Sequence, residues 1–205
     1  MIETKIDVDV EDVKRRLGEL GSKAPSVISR AINRTLTNIK KNVAQQTGGN
    51  RGVYNIRSET VKNTLDTKKA TIKSLKGSVT SSGSPMLLSS FDAKLKPGPM
   101  EPVSYQRGRS SPLFYKAAVK KMGGRKAVGG EPKAFVAHSE KAKGMIFMQR
   151  LSRKGYPLQP LYGPSVPQMI ENRDVLDFIE NEARSTLQKR IDAEIRNILR
   201  KEGTT

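Results

Sequence analysis

Val27, Ile28, Ala31, Ile32, Leu36, Ile39 and Val43 fall on one stripe at helical spacing, with Thr35 among them and Arg30, Arg34, Lys40 and Lys41 on the other face. A stripe of that length must be covered by another element, because most helical stability in a protein comes from packing an amphipathic face. Ser22 reads as the cap of this helix, Pro25 falls in its first turn, and Gly48–Gly49 stops it. A second stripe closes the chain. Leu176, Ile179, Ala183, Leu187, Ile191, Ile195 and Ile198 share one face of a helix predicted over Asp174–Lys201, with acids crowding its first turns and bases its last.

The rest of the chain reads mostly as strands. Ile2, Thr4, Ile6, Val8 and Val10 alternate with charged residues, the period of a half-buried strand, and a short helix over Glu11–Leu20 ends near Gly21. A further short helix over Ser58–Leu65 has Ser58 as its cap. Thr67–Ser81 reads as two strands joined by a turn at Gly77. Tyr115–Lys121, Ala134–Ser139 and Met145–Arg150 read as three more, punctuated by Gly123–Gly124, Gly129–Gly130 and Gly144. Residues 97–112 hold four prolines and two glycines and read as a long exposed loop, and residues 151–168 as a proline-rich extended connector. The fold class expected is α+β: an antiparallel β-sheet packed against the long N-terminal helix within a domain spanning 1–170, then a C-terminal helix over 171–205.

Hydrophobic residues make up 35% of the chain and aromatics 5%, with no Trp, so large apolar side chains are few. Those side chains supply most burial energy, at roughly 25 cal/mol per Å². A thin core implies that some burial happens against copies or other subunits. The net charge of +18 is concentrated: residues 51–160 carry 22 bases against 6 acids, or +16. Such a stretch faces a polyanion, an acidic partner surface or simply water. With no Cys there is no disulfide framework. The charged N-terminus is no signal peptide, and the longest apolar run, Met145–Met148, is far too short for a bilayer. A soluble, unexported protein without membrane contact is expected.

Catalytic chemistry finds little support. His138 is the only histidine and lacks any G-x-S-x-G context for Ser139 or Ser104, so it reads as a strand residue. Zinc needs several Cys or His ligands. GGNRG at 48–52 and GGRKAVGG at 123–130 lack G-x-x-x-x-G-K-[ST] and read as hairpin turns. Asp92, Glu101, Glu131 and Glu140 are scattered over loops. No catalytic residue, cofactor or metal is expected.

Two stretches carry a family likeness. Ala31-Ile-Asn-Arg-Thr-Leu-Thr37 lies on the long helix; Phe135-Val-Ala137, Gly144-Met-Ile-Phe-Met-Gln-Arg150 and Pro157-Leu-Gln-Pro-Leu-Tyr-Gly-Pro-Ser-Val-Pro167 follow in order. Over residues 27–170 this resembles the prophage minor tail protein Z family, with its AxNRT helix, glycine-turned strands and LYGPSxP segment. Residues 97–112 depart from the pattern. The resemblance implies a virion protein of a tailed phage, made in the host cytoplasm. It would be a minor tail or tail-completion component at the neck, joining a ring that is expected to be a hexamer and contacting terminator, tube or head-completion proteins.

Pro157, Pro160, Pro164 and Pro167 make the connector stiff and remove backbone donors, so it is expected not to join a ladder. It reads either as a docking arm presenting Leu161, Tyr162, Gly163, Pro164 and Val166 to a neighbouring subunit, or as a linker. Asn33 and Arg34 are interfacial or a wet helix face. Arg107, Arg109, Lys120, Lys121, Arg125 and Lys126 are the candidate contacts to genomic DNA or an acidic partner. Tail terminator or tube-associated subunit, and sequence-blind DNA-binding protein, are the rival readings.

Overall fold

A computed structural model describes residues 2–6, 8–94, 115–129, 134–151 and 157–202. Strand β1 (Ile2–Ile6) precedes helix α1 (Val10–Leu17), a 3-10 stretch over Gly18–Lys23 and the long helix α2 (Ala24–Thr47). Then come α3 (Ser58–Lys62), β2 (Leu65–Lys68), β3 (Gly77–Ser81), β4 (Asp92–Lys94), β5 (Lys116–Ala118) and β6 (Lys126–Ala127). The hairpin strands β7 (Ala134–Ser139) and β8 (Gly144–Arg150), then β9 (Leu158–Pro160), α4 (Val166–Ile170) and α5 (Arg173–Glu202) complete the chain. The class is α+β, with a long N-terminal and a long C-terminal helix.

The stripe on α2 is covered chiefly by α5, which runs antiparallel to it: Arg34 pairs with Glu194, and Asn38 Nδ2 donates to Thr186 Oγ1. Val27, Ile28, Ile32 and Leu36 meet Val175, Ile179, Ile191 and Ile195 in one core, each large side chain contributing about 1.5–3 kcal/mol on burial. Val175 was not on the predicted stripe; Ala183, Leu187 and Ile198 were, and are only partly buried. Arg16 on α1 donates to Asp192 at 2.6 Å, and that bond, with further pull from Asp12, holds its pKa above the ordinary value.

The sheet component differs from the single sheet expected. It is three antiparallel three-stranded sheets, ordered β1-β3-β2, β4-β5-β6 and β7-β8-β9. The first lies on α2, and Gly77 opens β3 packed against that helix instead of forming a turn: a Cβ there would sit 2.7 Å from Leu36 Cδ1 and 3.0 Å from Ile32 Cγ2. A second small core of Ala117, Val128, Ala134 and Phe147, with Tyr115 edge-on to Phe147 at 5.7 Å, joins the other two sheets.

Helix starts also differ. Asp9 caps α1 through Glu11 and Asp12 N–H, whereas Ser22 caps nothing, because the 3-10 stretch feeds directly into α2. Ser58 is the first residue of α3, behind Arg57. The β7–β8 turn takes its positive φ at Lys143, one residue before the expected Gly144. Among the described residues no helix is long and apolar enough to cross a membrane.

Candidate functional site

Of the α2 motif residues, Asn33 is half-buried and faces an inward partner, whereas Arg34 is exposed and also pairs with a buried acid. Asn33 Nδ2 donates to the Ala70 carbonyl at 2.9 Å, and the Ala70 N–H donates to Asn33 Oδ1 at 2.8 Å. This side chain replaces a strand partner for the chain leaving β2. Arg34 lies 2.5 Å from Glu194 Oε1, and the carboxylate is 3% exposed. Ala31 and Ile32 are in the core, and Thr35 donates to the Ala31 carbonyl.

The proline-rich connector pairs after all. Prolines 157 and 160 leave Gln159 between them free to pair, so β9 lies antiparallel along β8 in the register Met148↔Pro160, Gln149↔Gln159, Arg150↔Leu158. Leu161 N–H donates to the Phe147 carbonyl and its own carbonyl accepts from Leu88 N–H, both at 2.9 Å. Gly163 donates to Met86 and stands so close to the Phe91 ring that a Cβ would lie 2.7 Å from Cε2. Ser165 and Gln168 form a reciprocal capping box on α4, leaving Val166 2% exposed in the main core. Of the docking-arm candidates, Tyr162 alone presents a large side chain outward, at 56% exposure, while Pro164 is half-buried.

The basic candidates divide the same way. Lys121 Nζ donates to the Gly49 carbonyl, Lys120 Nζ lies 5.7 Å from the Tyr54 ring centre, and Arg125 reaches Asp92 at 2.8 Å. Lys126 is exposed on β6. Arg107 and Arg109, and the whole loop 97–112, lie outside the described residues. Gly48–Gly52, read as a hairpin turn, instead folds back on the end of α2. Val53 N–H donates to Gln46 and Tyr54 N–H to Thr47, with the Gly48 carbonyl packed where a Gly52 Cβ would go. Beside this loop lies an open groove of about 890 Å³, lined by Asn55, Arg57, Ser58, Phe91 and Lys121 among others.

Two further charged surfaces stand out, of which sequence reasoning passed over the first and read the second only as complementing a helix dipole. Lys68, Lys69, Lys73 and Lys76 are exposed and have no ion-pair partner among the described residues. They surround a tight turn in which Thr71 and Ser74 exchange backbone hydrogen bonds at 2.8 and 3.2 Å, and Ile72 at its tip is 63% exposed. The signal was legible as four lysines without an acid between residues 67 and 76. The second surface is the start of α5, where Glu171, Asp174, Asp177 and Glu180 are exposed around Phe178, itself 43% exposed.

His138 is exposed on β7 opposite Met145. No protein-family model, curated protein or solved structure matches this chain.

Proposed function

We infer that this chain is a structural virion protein of a tailed phage, a minor tail or tail-completion component that assembles in a ring at the head–tail junction. The observation that carries this reading is that the residues resembling the minor tail protein Z family act together. Ala31, Ile32 and Leu36 share one core with Val166 and Met169 from the far end of the chain. Asn33, Leu161, Gly163 and Ser165 each make a specific backbone tie. The likeness therefore falls on positions that hold the fold together, where a fold-level resemblance belongs. Exposed Ile72, Met122, Met145, Leu151, Tyr162, Phe178 and Leu199 offer apolar contacts to neighbours.

A second reading, sequence-blind DNA binding, is favoured by the four free lysines of residues 68–76. Negative-stain microscopy of the purified protein, with antibody labelling of intact virions, separates the two. Rings, and label at the neck, are expected. A monomer that shifts duplex DNA and is missing from virions would overturn the structural reading.

A further inference from the structure

The two charged surfaces complement each other. Residues 67–76 carry four lysines and no acid, while residues 171–180 carry four acids and one base, Arg173, which lies 3.7 Å from Asp177. Each surface has an exposed apolar residue in its midst, Ile72 in the first and Phe178 in the second. An apolar centre within a charged rim is the anatomy of a protein–protein contact, whereas a purely electrostatic DNA contact has no use for the isoleucine.

Within one copy the surfaces do not meet. The Lys40 ammonium donates to Leu65 and Asn33 holds Ala70, so β2 runs back along α2 and the turn at Thr71–Ser74 follows from the Asn33 level. Phe178 instead shares a hollow of about 560 Å³ with Asn42, Gln45 and Gln46. From Asn33 to Asn42 is about 14 Å along the helix at about 1.5 Å per residue. The basic turn and the acidic helix start thus belong to opposite halves of the α2–α5 pair. Among the described residues, Arg51 at the rim of the hollow is the one cation lining it.

We propose that the Lys68–Lys76 turn of one copy docks on the Glu171–Glu180 surface of the next, with Ile72 entering the hollow beside Phe178. The proposal rests on the self-assembly reading and names its interface. Two different patches in contact make a head-to-tail interface, which closes into a ring or extends as a filament according to the rotation between copies. The turn suits this role because Asn33 and the Thr71–Ser74 pair fix it before contact, so little ordering entropy is lost on docking.

The test is charge exchange followed by sedimentation velocity at low and high salt. Lys69→Glu with Lys73→Glu, and separately Asp177→Lys with Glu180→Lys, should each weaken self-association by about tenfold or more, since like charges are then opposed. Mixing the two variants should restore assembly beyond the dimer, because native and charge-exchanged pairs of patches then alternate. A variant that failed to fold could not take part in that mixed assembly. The chain carrying all four substitutions should assemble again. If either reversed variant assembles like the parent, the ring reading stands and this interface falls. A parent protein that stays monomeric at every concentration overturns both. If the lysine reversal abolishes duplex binding while assembly persists, the turn is a DNA contact and the proposal is wrong.

Discussion

Arg34 Nη1 sits 2.5 Å from Glu194 Oε1, with Arg30 at 4.0 Å from the other carboxylate oxygen, and this cluster joins the middle of α2 to the last third of α5. The carboxylate is 3% exposed while the two arginine side chains are about half exposed, at 56% and 52%. Its environment is therefore asymmetric: the acid has lost its water and the bases have not.

That asymmetry predicts unequal mutants. Arg34→Ala leaves a buried carboxylate with only distant help from Arg30, and should cost about 2–4 kcal/mol in denaturant unfolding. Glu194→Met removes the buried charge while keeping volume, freeing two arginines that already reach water, and should cost less than about 1 kcal/mol. Equal losses from both variants would mean that the pair itself, and not the buried acid, sets the energy.

Asn33 supplies both halves of a peptide-like pairing to Ala70, a residue 4% exposed. Asn33→Ala strands a buried N–H and a buried carbonyl, so a loss of about 2–4 kcal/mol is expected. Hydrogen exchange at the Ala70 amide should accelerate far more than at Val79 in the neighbouring strand. Unchanged protection at Ala70 would refute the anchor.

Gly77→Ala should destabilise by about 1–3 kcal/mol, because Leu36 and Ile32 are too buried to retreat from a new methyl. Leu36→Ala opens space at that point, so the double variant should lose less than the sum of the singles. Strict additivity would show that the glycine is there for its backbone freedom instead.

The elements with strong periods were legible because a buried face imposes its spacing on the sequence. The α2 stripe has its expected side chains in the core, and α5 follows with Ile179, Ile191 and Ile195. What could not be read was partnership. Nothing in the spelling of residues 157–167 says that Gln159 finds Gln149, because the prolines suggest a strand without donors and only tertiary position shows which donors are needed. The same holds for the basic candidates. Lys121 and Arg125 resemble free surface lysines and arginines in a charge count, yet one caps the Gly49 carbonyl and the other faces Asp92. Asn33 is a third case, since its partner lies 37 residues away.

Leu161 and Tyr162, adjacent in the most specific part of the resemblance, face opposite demands. Leu161 packs against the Phe147 core and ties β8 to the segment before β4 through both its backbone groups, whereas the Tyr162 side chain projects outward next to Leu87. Leu161→Ala should lower the stability of the isolated protein by about 1–3 kcal/mol, the cost of truncating a partly buried leucine. Tyr162→Ala should leave the isolated protein within about 0.5 kcal/mol of the parent, as expected at an exposed site. It should nonetheless weaken assembly by about 1–3 kcal/mol if the ring uses this residue, the range of an interface aromatic. Thermal unfolding of dilute protein and sedimentation at high concentration give the two readouts from the same samples. A Tyr162→Ala variant that melts early while assembling normally would make the tyrosine a structural residue, and with it the whole 157–167 segment would belong to the fold alone.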